Sequence, residues 1–468
     1  MSGREWMVAA GLLLASCSGG GGGDPTTQTI IDRSGVYIDT ISGFGSVIVG
    51  GVRFETDRAT IQVDDRVESE QALRVGQRVV ILGQLDPGGE SGTATSIVTD
   101  PVLKGVVQTV DAVSGRLSLL NTDVRIDADT LISPEIVGGL PSIIVGDRLE
   151  IHGARDASGL VLATRIDQAE DSELEVFGLI TTVDTVTERI EIGSLSIGYG
   201  DAELLGFQGA PAVGDALEAE GESFDGVLLV AQRLERESAD LFDSDDEGIE
   251  IEIGGAISRF TSATDFSIGQ TRITTETATE YEGGAAADLR EGVSIAVEGR
   301  VNGLGVLVAE EVAFRRSSDF KVEAVVEAVN GGDQQLTVLG LLVSLGSTTQ
   351  LVDESDAELR EFSLDDIAVG DFVEIRGVQG TDTVSANLVK RKSAEDTLKL
   401  EGRVTEIAQP DIRILGTTIQ TNAATEFEVN DQGLEGADFF EMLSIGDRIE
   451  VEGQSPTAGI LVAGKVEG

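Results

Sequence analysis

One cysteine and one histidine in 468 residues limit the chemistry available from the outset. A lone thiol cannot close an internal disulfide, so each folding unit must be held by its own buried core. The single imidazole, His152, excludes multi-histidine metal sites. Basic residues are also scarce: 33 Lys and Arg stand against 83 Asp and Glu, for a formal net charge of −50. Binding of nucleic acid needs Lys and Arg to neutralise phosphates, so a nucleic-acid partner is excluded as an expectation. The same charge repels anionic headgroups and leaves any membrane attachment to something other than the protein face. Aromatics make up 4% of the chain, too few for a row of stacking platforms. No second apolar run beyond the N-terminal one approaches membrane-spanning length. Neither a Gly-x-Ser-x-Gly elbow nor a phosphate-binding Gly-Lys-Ser/Thr loop stands in a strand-to-helix context. We expect no catalytic residue, no cofactor and no metal ligand set.

What the chain does contain is repetition. With 41% hydrophobic residues and 59 glycines, it is too apolar for disorder and reads as small β-units with Val, Ile and Leu cores. One phrase recurs: an apolar residue, Gly, usually Asp, then alternating apolar and charged residues closing on Gly. It runs from Val75-Gly76-Gln77 to Gly83, from Val145-Gly146-Asp147 to Gly153, and from Val213-Gly214-Asp215 to Gly221. It returns more weakly from Glu291-Gly292-Val293 to Gly299, and again from Val369-Gly370-Asp371 to Gly377 and from Ile445-Gly446-Asp447 to Gly453. The spacing of roughly 70 to 80 residues suits a compact small domain better than a solenoid repeat. Around each copy, period-two alternation marks a strand upstream, two more strands, and a fifth strand downstream such as Gly159–Ile166. A threonine follows the third strand at Thr60, Thr130, Thr279, Thr349 and Thr425, where a hydroxyl can satisfy a backbone donor. Five short strands with a longer link between the third and fourth match the five-stranded barrel of the OB-fold, with a small sandwich as the competitor. The fold class is therefore all-β, a tandem array of six OB-like barrels. Six such units in line would reach on the order of 150 Å.

Three local features need a reading. His152 aligns with Glu220, Glu298, Arg376 and Glu452 on the polar side of the fourth strand, and is expected at the solvated surface. The same outward positions in the first repeat are Val80 and Leu82, an apolar stripe expected to pack on a neighbouring repeat. On that expectation Leu82→Lys loosens the first unit from the second. Asp243-Ser244-Asp245-Asp246-Glu247-Gly248 begins like a calcium loop, but its twelfth position is Gly254 rather than glutamate. It reads as an acidic linker.

Two resemblances complete the reading. Leu14-Ala15-Ser16-Cys17, after the short apolar run Met7–Leu14, resembles the lipobox of bacterial lipoproteins. That resemblance implies a diacylglyceryl group on Cys17 after cleavage. With Ser18 next, it implies an outer-membrane protein on the periplasmic face or the cell surface. Gly19–Gly23 then forms a flexible tether. The segment Ile41-Ser42-Gly43-Phe44-Gly45-Ser46-Val47-Ile48-Val49-Gly50-Gly51-Val52-Arg53-Phe54-Glu55-Thr56 resembles the opening of the domain of unknown function 5666, whose tandem copies occur in bacterial lipoproteins. The likeness is looser in the third repeat, which lacks the threonine, and in the fourth, which lacks Asp after Gly292. It carries over no catalytic residues. The resulting organisation is a signal peptide at 1–16, an anchor and tether at 17–34, and repeats at 35–100, 102–168, 175–236, 250–315, 321–391 and 398–467. The expected role is that of a non-enzymatic, lipid-anchored envelope scaffold or adhesive module, its partners the membrane and an envelope protein or polysaccharide. The alternative is saccharide or envelope-polymer binding through OB-like faces.

Overall fold

The computed structural model describes residues 34–156, 158–207, 209–237, 242, 246–380, 383–429 and 432–468. Cys17, the rest of the expected leader and tether before Ser34, and the loop residues Asp243 to Asp245 lie outside the described residues.

Every repeat is built on the same circuit of strands. In repeat 1, Ser34–Gly43 pairs antiparallel with Val47–Val49, and that strand with Val52–Glu55. Val52–Glu55 runs parallel to the fifth strand, Ser91–Thr99, which pairs antiparallel with the fourth, Arg78–Leu85. The fourth strand returns to the first and closes the ring in the order 1-2-3-5-4-1. The same circuit closes in repeat 2, repeat 4, repeat 5 and repeat 6. In repeat 3 the first strand is split into Leu174–Leu179 and Thr182–Asp184, and the circuit passes through both pieces. A sandwich would keep two separate sheets, so closure decides for the barrel. Alternation puts one side of each strand inside: Val79 and Ile81 are fully buried, as are Val47 and Phe54. Each such side chain contributes about 1.5–3 kcal/mol by leaving water.

The recurring phrase is structural. Where the first strand bulges, the backbone of Ile41, Val107, Ile257, Val326 or Val404 turns away from its neighbours and bonds the phrase instead. Its carbonyl accepts the N–H of Gly76, Gly146, Gly292, Gly370 or Gly446, and its own N–H donates to the residue after that glycine. Ile180 does the same with Gly214 and Asp215. These glycines have φ between +79° and +102°, a region costly for side chains. The Asp carboxylate then accepts the N–H three residues earlier, at 2.8 Å for Ile144, Ala212 and Ser444 and 3.0 Å for Ala368. Gln77 supplies that oxygen in repeat 1, and Val293 in repeat 4 has none to supply. The glycine that closes each phrase sits at a bulge against the fifth strand, where a Cβ on Gly299 would strike the carbonyl of Val308.

The threonine is a clamp in four repeats. The hydroxyls of Thr130, Thr279, Thr349 and Thr425 accept a backbone N–H three residues back and donate to Ala163, Ala309, Ala386 and Ala463 on the fifth strand. Thr60 does not belong to this set. It is exposed, and the turn that ends at Thr130 and Thr425 ends at Ala59 in repeat 1, one residue earlier than the sequence spacing indicated. The link between third and fourth strands is a short 3₁₀ turn in four repeats and the helix Gly436–Met442 in repeat 6.

The repeats are not strung out in line. Residues from Arg33 to Gly468 form one compact unit, which corrects the extended array expected from the sequence. Barrels share sheets in pairs. First strands join antiparallel between repeats 2 and 3 and between repeats 5 and 6, and parallel between repeats 1 and 4. The cores of repeats 2 and 3 merge into one apolar cluster, and so do those of repeats 5 and 6. The stripe of Val80 and Leu82 is covered as expected, but by the core of repeat 4 rather than repeat 2. Leu82→Lys should therefore loosen the first barrel from the fourth. Amphipathicity within one strand shows that a face is covered and carries no information on which distant repeat covers it.

Candidate functional site

A row of charged side chains crosses the sheet shared by repeats 2 and 3. Register places Glu150, Lys104, Glu175, Glu220 and Arg233 side by side on successive strands. Their neighbours along each strand, Ile151, Leu103, Val176, Ala219 and Leu234, point into the cores, so the row occupies the outer face. Over it lies a hairpin of repeat 1, formed by Thr60–Val63 and Arg66–Glu68. Its two turn residues, Asp64 and Asp65, have φ of +51° and +58°, the double left-handed turn that Asp tolerates.

This covering hairpin turns an ordinary polar face into a buried ionic junction. Lys104 is 2% exposed, and its Nζ lies 3.0 Å from Asp171, 3.4 Å from Asp64 and 3.7 Å from Glu173. Burial alone would favour the neutral amine, but the bond to Asp171 and the charge of Asp64 overcome it and raise the pKa. Arg233 binds Asp65 at 2.6 Å and also Glu220 and Glu235. Two groups of carboxylates each have oxygens within 4.8 Å of one another: Asp64, Asp171 and Glu173 around Lys104, and Asp65, Glu218 and Glu220 beside Arg233.

Carboxylates outnumber cations here, and the acids respond. Glu175 is 1% exposed, and its Oε1 meets no hydrogen-bond partner among the described residues. Burial, then the charges of Glu218, Asp64 and Asp100, push its carboxyl well above the usual range. Glu218 moves the same way through burial and the charges of Asp100 and Asp65. Asp100, whose Oδ1 faces the Asp65 N–H at 3.4 Å, is pushed up to about 6 by burial and then by Asp65. Chemically, the junction can hold protons or cations in a partly covered, oxygen-rich setting, open at Asp65 and Asp171.

His152 borders the junction and corrects an expectation. It is 1% exposed rather than solvated, because repeat 1 packs over its strand. Its Nε2 lies 2.9 Å from Glu150 Oε1 and 3.2 Å from Gln77 Nε2. Cys17, the residue expected to carry a lipid, falls outside the described residues. Of the calcium-like loop, only Asp246, Glu247 and Gly248 are described, and Asp246 is buried. None of the junction residues stood out in the sequence, where 83 acids hide any particular pair. A usable signal was Lys104, a cation placed where alternation predicts the covered first strand.

A second repeated feature lies at the phrase itself. Its apolar residue is exposed at Val145 (61%), Val213 (66%), Val369 (66%) and Ile445 (70%). In repeat 1 the equivalent Val75 is buried, at 8%. There the turn is seated on repeat 2: Arg165 donates to the Val75 carbonyl at 3.0 Å, and Leu131 and Thr164 close on Gly76.

The family model described as Domain of unknown function (DUF5666) matches at residues 37–98, 104–167, 254–313, 323–390 and 401–467, more than half of the chain. Each match falls on one barrel. Repeat 3 is the barrel without a match, and it is also the one with a split first strand and Ala202 in place of the clamping threonine. A search of curated proteins found no match.

Proposed function

This chain belongs to the DUF5666 family, and from that premise we propose that it is a non-enzymatic interaction module of the cell envelope, held to a membrane by a lipid on Cys17. The observation that carries this reading is the repeated exposed turn. Four barrels present an apolar residue on the same rigid Gly-Asp turn, and the one covered copy, at Val75, is covered by protein. Apolar residues held out on stiff turns lose little conformational freedom on docking, so several copies can add modest contacts into useful avidity. The recurring glycines and aspartates of the phrase hold that turn, which suits presentation rather than catalysis. The compact stack makes this a block of binding surfaces rather than a long reach.

The test is crosslinking in the native host, comparing the natural chain with one carrying Val145→Asp, Val213→Asp, Val369→Asp and Ile445→Asp. Crosslinks to envelope proteins should map to these turns and disappear in the variant. Crosslinks that persist unchanged would overturn the reading. Binding of peptidoglycan or glycan that saturates on the whole chain and ignores the four substitutions would favour the polymer-binding alternative. Membrane anchoring is tested separately by fractionating Cys17→Ser, which should leave the membrane fraction.

A further inference from the structure

Arg233 and Lys104 do not use up the carboxylates beneath the Asp64-Asp65 turn. Lys104 fills the first group, of Asp64, Asp171 and Glu173. In the second group Arg233 bonds Asp65 and Glu220 but makes no hydrogen bond or salt bridge to Glu218. Behind this group, Glu175 lies directly across the strands from Glu220 on the same face, fully buried, with Oε1 unpaired among the described residues. A buried, unsatisfied carboxylate oxygen is costly, and its placement beside three converging carboxylates points to a missing cation.

We propose that the junction of repeats 1, 2 and 3 binds a divalent, oxygen-seeking cation of the calcium class through Asp65, Glu218 and Glu220, with Glu175 behind them. The geometry fits. Calcium–oxygen distances of about 2.3–2.6 Å set oxygens on opposite sides of one ion roughly 5 Å apart, and the three carboxylates already lie within 4.8 Å of one another. Arg233 need not leave the junction, because Glu235 holds its second nitrogen while the ion takes over Asp65 and Glu220. Arg233 and the ion together then set three positive charges against these carboxylates where one stood. The inference stands apart from the turn-docking reading, because none of its residues lies on those turns.

Calcium chloride titrated into the full chain at neutral pH, followed by calorimetry and thermal melting, tests it. One saturable site is expected, with Kd on the order of 10⁻⁴–10⁻³ M, as for extracellular calcium modules. Glu218→Gln should weaken binding tenfold or more while the variant still folds, since it keeps the shape and removes a crowded charge. Asp245→Asn, in the acidic linker, should leave binding unchanged. The proposal is overturned by absence of saturation up to about 10 mM, by an equal melting shift with NaCl of matched ionic strength, by unaltered binding in Glu218→Gln, or by loss of binding in Asp245→Asn.

Discussion

Across the sheet shared by repeats 2 and 3 run Glu150, Lys104, Glu175, Glu220 and Arg233. At the equivalent register across repeats 5 and 6 run Glu374, Glu323, Lys399, Glu452 and Lys465. Each row holds three acids and two bases, with the central pair exchanged. Their electrostatic fates are opposite. Beside the second row stand Lys321, Lys392 and Arg376: Glu323 binds Lys392 at 2.7 Å and Lys321 as well, and Glu374 binds Arg376 at 2.6 Å. Burial works against the Glu374 carboxylate, yet Arg376, Lys390, Lys321 and Lys392 hold it down at about 2. The first row is instead covered by Asp64 and Asp65 and flanked by Asp100, Asp171 and Glu173, and its Glu175 and Glu220 carboxyls rise, by burial first. The same strand register thus yields an over-acidic row where a distant repeat lays Asp64 and Asp65 over it, and a neutralised row where strands of its own repeat supply Lys321, Arg376 and Lys392.

The largest effect should come from removing the central cation of each row. Lys104→Met leaves the buried Glu175 and the half-buried Asp64, Asp171 and Glu173 without their shared cation, and should cost about 3 kcal/mol. Lys399, 31% exposed and paired with Glu452 at 2.7 Å, should cost no more than about 1 kcal/mol as Lys399→Met. Urea unfolding at neutral pH measures both, and equal losses would break the comparison.

Acid should move the two rows in opposite directions. Asp100 has a folded pKa raised to about 6. Between its unfolded value near 4 and that pKa the folded state keeps a proton that the unfolded state releases, so its stabilisation is lost as pH rises through 6. Glu218 and Glu175 act in the same sense, facing Asp64, Asp65, Asp100, Lys104, Glu220 and Arg233. Glu374 is depressed, so its contribution is present above about 4 and is lost as pH falls toward 2. Hydrogen exchange, corrected for intrinsic rates, should show Leu174–Leu179 and Ala216–Phe224 gaining protection between about pH 7.5 and about pH 5. Phe320–Asn330 and Phe372–Gln379 should hold steady over that range and loosen below about pH 4. Loss of protection in both sheets on mild acidification would contradict the assignment.

The barrel itself was legible in the sequence, because everything that builds it lies within one repeat. Period-two alternation placed Val79 and Ile81 inside, and the recurring Gly-Asp phrase marked the turn that stitches strand 4 to strand 1. The assembly was not legible. Nothing in Val80 or Leu82 names repeat 4 as their cover, and nothing around His152 shows that Gln77, on repeat 1, will bury it. The junction carboxylates share that difficulty, since Asp65 and Glu218 are 153 positions apart in a chain crowded with acids. Local chemistry specifies the bead; only long-range register specifies the site.

The smallest expected effect sharpens the contrast between repeat 3 and repeat 5. In repeat 5 the Thr349 hydroxyl accepts the Gly346 N–H at 2.9 Å and donates to the Ala386 carbonyl at 2.7 Å. Thr349→Ala strands both groups and should cost about 1–3 kcal/mol. Repeat 3 keeps the turn, with the Ala202 N–H donating to Tyr199 at 3.1 Å, and it keeps Ala231 on the fifth strand where Ala386 stands. The hydroxyl is missing, and the N–H three residues back, that of Tyr199, already donates to the Glu188 carbonyl at 2.9 Å. Ala202→Thr can therefore add only the bond to the Ala231 carbonyl and should gain no more than about 1 kcal/mol, seen as slower exchange in Leu228–Glu237. Loss of stability instead would mean that the split first strand has moved the turn away from Ala231, and that repeat 3 departs from its siblings in packing as well as in sequence.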